Sequence, residues 1–250
     1  MRAMLYPAPR VPVPSPPPEP WKEVRLQVEG TGEVVGWAFE SRSRTRPIAL
    51  FLHGNGENLE TVRQSGLLDR LRGLGLDFLA LDYPGYGISQ GRPSETSLVA
   101  SGVAAVEWLR ARYPSRQLLV CGWSLGAGVA MQVAARLPGE VDGLVLMSPW
   151  SSLESVGAAH YPRWLVRMSL SDSYDSLAAA RGLRVPALVV HGDLDQIIPT
   201  DQGRELARVL DGAEWVPVAE AGHNDLLGRP AVWNALDGFI SRLESSASGS

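Results

Sequence analysis

The chain contains the residue types from which a nucleophile, a base and an acid could be assembled. Ser124 is the centre of a Gly-Trp-Ser-Leu-Gly pentapeptide, His223 lies in a Gly-His-Asn-Asp stretch, and Asp193, Asp195 and Asp225 are candidate acids. A serine hydroxyl is a poor nucleophile at neutral pH until a positioned base takes its proton. A histidine can be that base, and a buried carboxylate can hold its tautomer and stabilise the imidazolium. These residues predict acyl transfer through a serine.

The elements around Ser124 predict how this hydroxyl is presented. The apolar run 118–121 is typical of a buried strand, and the alanine-rich segment 127–137 is typical of a helix. A serine at a sharp strand-to-helix turn is a nucleophile elbow. Its glycines are needed because the strained serine backbone leaves no room for neighbouring side chains. The backbone N–H of Leu125, at the start of that helix, is then one expected oxyanion donor.

Strands and helices alternate along most of the sequence. Apolar runs predict strands at 24–28, 34–39, 48–52, 78–81, 118–121, 144–147, 187–190 and 214–218. Helices are expected at 59–74, from Pro93 through Leu109, at 127–137, 201–210 and 230–243. This alternation predicts an α/β fold with a mostly parallel sheet of roughly eight strands and helices on both faces. Functional side chains then belong on loops at the carboxyl ends of the strands.

Five motifs carry a resemblance to a known superfamily. They begin at His53-Gly54, Asp82-Tyr83, Gly122, His191-Gly192 and Gly222-His223, and Ser, Asp and His follow one another in the order found in α/β-hydrolases. The chain resembles the α/β-hydrolase superfamily over residues 22–244. Within it, the chain is most similar to the branch of membrane-associated serine esterases that depalmitoylate proteins, and to their bacterial relatives.

The resemblance implies roles for several residues. It implies that the acid is Asp195 rather than Asp193, and that Asp225 orders the loop around His223. It places the second oxyanion donor at the backbone N–H of Asn55, so that the side chain there could vary without loss of the donor.

Other residues near these motifs have two interpretations each. His53 and His191, each just before a glycine at a strand end, are expected to be buried loop organisers rather than bases. Four aromatic residues are candidates for substrate binding, with loop or core packing as the alternative: Tyr83, Tyr86, Trp123 and Trp150.

The ends of the chain and one internal segment differ from the rest. Residues 1–21 are rich in proline and predict an extended arm on the domain surface, or a spacer that follows an export or anchor segment. Residues 22–244 are expected to form one domain, in which 149–184 is a short lid-like insertion with room for one or two short helices. Its apolar residues are expected to pack on the domain, cover the pocket or face a lipid surface. Residues 245–250 are expected to be a flexible tail.

Composition excludes several classes of function. The net charge is −4, which argues against a nucleic-acid surface, and Cys121 is the only cysteine, so no intramolecular disulfide can form. The four histidines are too dispersed for a short-spaced metal motif, and we expect no metal and no cofactor. The sequence predicts a cytoplasmic protein, or an anchored or exported one if a further segment precedes Met1. It leaves the oligomeric state open.

The sequence therefore predicts a serine hydrolase of carboxylic esters that works through an acyl-enzyme on a small-molecule or lipid-like acyl ester. The alternatives are an acyl-thioesterase acting on proteins or carriers, an amidase or peptidase, and a catalytically silent binding or scaffold protein. Dehalogenase and epoxide-hydrolase chemistry is disfavoured, because relatives with those activities have an aspartate at the position of Ser124.

Overall fold

The sheet has eight strands, ordered so that the predicted functional loops meet at one edge. The structure, a computed structural model, describes residues 5–41 and 45–247. Its strands are β1 (Lys22–Val28), β2 (Gly32–Phe39), β3 (Ile48–Leu52), β4 (Asp77–Leu81), β5 (Leu118–Trp123), β6 (Gly143–Met147), β7 (Ala187–Gly192) and β8 (Glu214–Val218). Their spatial order is β1-β2-β4-β3-β5-β6-β7-β8. β2 is antiparallel to both β1 and β4, and the other neighbours are parallel. The predicted sheet is therefore present.

Helices cover both faces because the central strands are apolar on both sides. They are α1 (Leu59–Gln64), α2 (Leu67–Gly73), α3 (Glu95–Arg112), α4 (Leu125–Arg136), α5 (Leu153–Ala158), α6 (Arg163–Ser169), α7 (Ser176–Ala180), α8 (Thr200–Val209) and α9 (Pro230–Ala247). In β3, Ile48 and Leu50 belong to the core shared with α3, α4 and α8. Ala49 and Phe51 belong to the core shared with α1, α2 and α9. Successive side chains of a strand point to opposite faces, so one short strand contributes to two cores.

The helix predicted at 59–74 is two helices. α1 ends before Ser65, and Gly66 has a φ of 77° in the left-handed region. Glycine adopts this conformation without the steric cost that a Cβ brings. The chain therefore turns at Gly66 and starts again as α2.

The lid-like segment 149–184 contains three short helices rather than one or two. α5 and α6 pack together so closely that a Cβ on Gly157 would lie 2.7 Å from a methyl group of Val166. α7 is different, since its Ala180 is buried in the core beneath α4. Leu153 of α5 is also buried in this core, whereas α6 carries most of the exposed apolar side chains of the segment.

The described parts of the predicted arm and tail belong to the folded domain. In the proline-rich arm, Tyr6, Val13 and Trp21 are buried in the domain. α9 extends to Ala247, three residues into the predicted flexible tail. The remainder of the predicted arm and tail, residues 1–4 and 248–250, lies outside the described residues, as does 42–44 of the arginine-rich loop. In the part of the chain described, no helix is both long and apolar enough to cross a membrane.

The contact between α3 and α4 predicts an asymmetry between two glycines. A Cβ on Gly102 would lie 2.6 Å from Cγ2 of buried Val133, whereas Gly73 is exposed with no atom near its Cβ position. Gly102→Ala should lower the free energy of unfolding by about 1–3 kcal/mol through overpacking. The control, Gly73→Ala, should leave it unchanged or raise it by about 0.4–1 kcal/mol. Urea denaturation of the two variants measures both effects, and equal losses would contradict this view of the contact.

Candidate active site

Ser124 lies in a backbone turn that requires glycine two residues before it and two residues after it. It joins β5 to α4 with φ 55° and ψ −116°, outside the common regions for a non-glycine residue. A Cβ on Gly126 would lie 1.9 Å from the carbonyl oxygen of Leu52, and one on Gly122 would lie 2.1 Å from that of Gly126. The geometry is that of the predicted elbow, and the glycines let α4 approach the sheet.

The structure brings Ser124, His223 and Asp195 together. Ser124 Oγ lies 2.9 Å from His223 Nε2, and His223 Nδ1 lies 2.7 Å from Asp195 Oδ2. The three residues follow β5, β7 and β8, whose carboxyl ends meet at one edge of the sheet. All three side chains are buried. The arrangement can move a proton from the hydroxyl to the imidazole while the carboxylate stabilises the resulting charge.

The surroundings of Asp195 keep it ionised. Its Oδ1 accepts backbone N–H bonds from Ile197 at 2.9 Å and Ile198 at 2.8 Å. Its Oδ2 accepts from Ser148 Oγ at 3.1 Å and lies 3.3 Å from His191 Nε2. Burial by itself would raise the pKa of this carboxyl, but the bonds from His191, His223 and Ile198 outweigh it and hold the pKa well below its ordinary value.

The other two candidate acids, Asp193 and Asp225, have different surroundings from Asp195. Asp193 is exposed. Asp225 Oδ1 accepts the Gly222 N–H at 2.7 Å, and its Oδ2 accepts from Arg229 Nε at 2.9 Å. Asp225 therefore orders the loop that precedes His223, as the sequence predicts.

His53 and His191 are both buried and hydrogen-bonded. His191 Nε2 donates to the Ile198 carbonyl at 2.9 Å. The two nitrogens of His53 face oxygens, at 2.8 Å from the Gly54 carbonyl and 3.2 Å from Asp82 Oδ1. Burial disfavours the His53 imidazolium, yet the hydrogen bond and charge of Asp82 outweigh it and raise the pKa of this histidine. Both act as loop organisers.

The loop after β3 is tied to itself and to two tyrosines. Glu57 Oε2 accepts the Gly54 N–H at 2.9 Å. Tyr83 Oη donates to the His53 carbonyl at 2.8 Å, and Tyr86 Oη donates to Asn55 Oδ1 at 2.8 Å. This network fixes the backbone around Asn55, the expected oxyanion donor.

Tyr83 and Tyr86 do not line the entrance, and of their two interpretations the structure agrees with loop packing rather than substrate binding. Both side chains are fully buried, and neither is among the described residues that line the cavity at Ser124. Burial also raises the pKa of both phenols, which therefore stay neutral donors. Their hydroxyl groups support the oxyanion loop by hydrogen bonds, and their rings do not line the cavity.

A cavity of about 330 Å³ opens at Ser124. Its lining is mostly apolar or aromatic and comprises Leu5, Tyr6, Asn55, Trp123, Ser124, Leu125, Trp150, Leu153, Val156, Tyr174, Ile197, Ile198, His223 and Asn224. Among these side chains only the imidazole of His223 can carry a charge. The volume falls at the lower end of the range for pockets that bind small organic ligands.

The two tryptophans expected at the pocket do line it. The ring of Trp123 stacks on that of His223, with centroids 5.7 Å apart and an interplanar angle of 29°. Trp150 packs edge to face against Tyr174, with centroids 6.0 Å apart. Trp123 thus restricts the imidazole, and Trp150 belongs to an aromatic wall.

Sequence reasoning missed three contributors to the site. Ser148 follows β6 directly, so its place at a strand end was an available signal for a contact with the acid. Glu57 lies three residues beyond Gly54, the spacing at which a side chain can cap its own loop. Tyr6 is in the proline-rich arm and offered no local signal.

Comparisons with known sequences agree with this architecture. A family model described as alpha/beta hydrolase fold matches residues 47–178, and one described as TAP-like protein matches residues 164–250. An uncharacterised protein of Mycobacterium tuberculosis is 36% identical over 227 residues, which cover 88% of this chain and 79% of the relative. The lysophosphatidylserine lipase ABHD12 of Danio rerio is 25% identical over 231 residues, covering 82% of this chain and 60% of the lipase. The chain thus spans less than two thirds of that lipase.

Solved structures share the fold. The esterase Pf2001 of Pyrococcus furiosus superposes with a TM-score of 0.74 at 22% identity, covering 90% of this chain and 93% of the esterase. Est1E of Butyrivibrio proteoclasticus, solved with ferulic acid bound, gives 0.72 at 16% identity, covering 89% and 99%. At such identities the likeness establishes the fold alone, and it confirms the fold that the sequence predicts.

The bond from Ser148 to Asp195 predicts a selective effect on turnover. Ser148→Ala removes one donor from the buried carboxylate, which leaves it freer to move away from His223. We expect kcat for ester hydrolysis to fall about tenfold with KM nearly unchanged, since the bond matters most when the imidazolium forms. The control is Ser101→Ala, which removes an equally buried hydroxyl whose partner is the Leu98 carbonyl in α3. A fall in stability without any fall in kcat would contradict the role of Ser148.

Proposed function

The chain belongs to the α/β-hydrolase fold family, and on that premise we propose that it is a serine hydrolase that cleaves carboxylic esters through an acyl-enzyme. The observation that carries the proposal is the continuous hydrogen-bonded series from Ser124 Oγ through His223 to Asp195, with bonds of 2.9 and 2.7 Å, at the floor of an apolar cavity.

The first half of the reaction acylates the serine. His223 Nε2 takes the proton of Ser124 as Oγ attacks the ester carbonyl. The N–H groups of Asn55 and Leu125 stabilise the oxyanion of the tetrahedral intermediate, and each such donor is worth about 3–4 kcal/mol. Asp195 stabilises the imidazolium, which then protonates the departing alkoxide, so the ester C–O bond breaks and the alcohol leaves.

The second half regenerates the enzyme. A water molecule loses its proton to His223 Nε2 and attacks the acyl carbonyl. When the second tetrahedral intermediate collapses, the imidazolium returns a proton to Ser124 Oγ and the carboxylic acid departs. No group outside the protein, the ester and water is required to balance the reaction.

The cavity supports an apolar acyl group of short or medium length. Its lining offers aromatic and aliphatic side chains to the acyl chain, and its polar members besides the tyrosines are Asn55, Ser124, His223 and Asn224. The naming of the Danio rerio relative as a lysophosphatidylserine lipase favours lipid-like oxygen esters. Thioesters share the same acyl-enzyme, so the depalmitoylating activity suggested by the sequence is the alternative that an assay must separate.

Loss of single side chains tests the proposal. Ser124→Ala should abolish both ester hydrolysis and labelling by a fluorophosphonate. Asp195→Asn should lower kcat by roughly 10⁴-fold, because the imidazole loses the partner that fixes its tautomer. Asp193→Asn, which changes an exposed carboxylate of the same loop, is the control and should retain activity. Retained hydrolysis in Ser124→Ala would overturn the proposal.

Matched oxygen and thiol esters of several acyl lengths define the substrate class. We expect the oxygen esters to give the higher kcat/KM. A strong preference for the thiol esters would identify a thioesterase, and cleavage of peptide amides alone would identify a peptidase. If the intact protein neither reacts with the fluorophosphonate nor turns over any of these substrates, it is a binding or scaffold protein.

We also propose that α6 and the turn before it present an apolar surface to lipid. The exposed fractions of Tyr161, Trp164, Leu165 and Met168 are 64, 66, 41 and 77%. This lid surface adjoins the cavity, because the neighbouring His160 donates to the carbonyl of the cavity-lining Ile197 at 2.9 Å. Exposed apolar side chains that cluster at a pocket mouth mark an interaction site, and aromatic residues are favoured at the lipid–water boundary.

Polar substitution of the lid surface tests this contact. Trp164→Ser combined with Met168→Ser should reduce sedimentation with phosphatidylcholine vesicles and hydrolysis of an emulsified ester. Hydrolysis of a dissolved short-chain ester should be retained. The control is Val209→Ser, an exposed apolar side chain of α8 outside the lid surface. Equal vesicle binding by all three proteins would contradict the proposal.

A further inference from the structure

We propose that the N-terminal arm is a wall of the acyl pocket and that Tyr6 sets the length of acyl chain that the site accepts. The inference rests on the proposed ester hydrolysis and deepens it, because it assigns the substrate limit to a segment outside the predicted catalytic domain. Leu5 and Tyr6 both line the cavity that opens at Ser124.

Tyr6 is held by polar contacts that fix the position of its ring. Its side chain is 3% exposed, although it belongs to an arm whose residues are mostly exposed. Its Oη donates to Asp172 Oδ2 at 2.7 Å and lies 3.2 Å from Tyr174 Oη. Burial raises the pKa of the Tyr6 phenol well above its ordinary value, so the group stays a neutral donor. Because this phenol is buried and its hydroxyl is hydrogen-bonded, the Tyr6 ring forms a rigid part of the pocket wall.

Tyr6 completes an aromatic wall that the domain alone leaves unfinished. Tyr174 and Trp150 also line the cavity, and they pack against one another edge to face. The contact between the two hydroxyls continues this wall from Tyr174 onto Tyr6. An acyl chain that is bound to Ser124 and extends along this wall therefore reaches the ring of Tyr6, which the arm supplies.

The arm is fastened to the loop that bears the expected oxyanion donor. Asn55 Nδ2 donates to the Leu5 carbonyl at 2.8 Å, and Asn58 Nδ2 donates to the Val11 carbonyl at 2.8 Å. The Leu5 and Val11 carbonyls accept these side-chain donors, whereas the Tyr6 and Pro18 carbonyls accept N–H groups within the arm. The side chain of Asn55 also accepts from Tyr86. It therefore links the arm to the oxyanion loop, a role beyond the backbone donor that the sequence assigned to this residue.

The fastening extends along the arm. Val13 is buried, and Trp21 packs against the rings of Phe39 and Phe78, each with centroids 5.8 Å away. The described part of the arm is thus attached at Leu5, near its middle and at Trp21, and the wall at Tyr6 has the support that a determinant of specificity needs.

The size of residue 6 is the variable to change. Tyr6→Ala removes the ring, and Tyr6→Phe keeps the ring but removes the hydroxyl. Arg10→Ala changes an exposed residue of the same arm and serves as the matched control. All are made in the full chain, and kcat/KM is measured on p-nitrophenyl acetate, butyrate, octanoate and laurate.

The proposal predicts an ordered set of chain-length profiles. In Tyr6→Ala the ratio of kcat/KM for laurate to kcat/KM for acetate should rise about tenfold or more. Methylene groups of the acyl chain that enter an apolar pocket change kcat/KM by factors of this order. Tyr6→Phe should keep the short-chain preference, and Arg10→Ala should match the parent. An unchanged ratio in Tyr6→Ala would overturn the proposal.

Two further measurements keep the test decisive. If Tyr6→Ala does not fold, as judged by its thermal unfolding, Tyr6→Leu provides a smaller change with the same expected direction. If the parent hydrolyses no ester of the series, the rates of labelling by short-chain and long-chain alkyl fluorophosphonates give the same ratio. Failure of the parent to react with either probe counts against the proposed function. Reaction with a chain-length ratio that residue 6 does not alter counts against the arm alone.

Discussion

The approach of α4 to the ends of β3 and β5 is the constraint on which the site depends. At Gly126 the backbone of the helix lies so close to the Leu52 carbonyl that one added carbon would collide with it. This approach forces Ser124 into its unusual backbone conformation and brings the first N–H groups of α4 next to the loop at Asn55. Backbone packing therefore positions the nucleophile and Leu125, while the side chain of Asn55 adds hydrogen bonds to Tyr86 and to the Leu5 carbonyl that hold the loop of the second expected donor.

Two buried carboxylates, those of Asp195 and Asp82, contribute to the electrostatics around this turn. Asp195 faces the site, and its bonds to His191 and His223 favour the charged form. Asp82 lies behind the oxyanion loop and pairs with His53. A buried ion is costly unless it is paired and hydrogen-bonded. Burial raises the pKa of Asp82, and its hydrogen bond to His53 offsets that rise only in part. Each acid is nevertheless hydrogen-bonded to a histidine from another strand end, and these bonds join the loops at the site.

Residues at strand ends could be predicted from the sequence, and long-range partners could not. β5 and β7 are buried on both faces, so their ends mark the loops that hold Ser124 and Asp195, and the resemblance selected Asp195 over Asp193. His223 follows the half-buried edge strand β8, and the order of Ser, Asp and His along the chain indicated it. A tyrosine suits a pocket wall and a buried hydrogen bond equally well, so pattern alone could not reveal that Tyr86 supports the loop from behind. The division of the helix at Gly66 depends on one left-handed residue within an otherwise continuous periodicity. Tyr6 meets a partner 166 positions away, which no local pattern encodes.

That separation has a consequence for the order in which the molecule is completed. Contacts between residues distant in the sequence require a large loop to close and form more slowly than local ones. Tyr6 precedes Asp172 by 166 positions and Tyr174 by 168, so the segment between them must be arranged before the phenol can meet these partners. The strands that carry Ser124 can pair without it. The pocket wall at Tyr6 thus depends on a long-range contact, and we expect it to form after the central strands that carry Ser124 have paired.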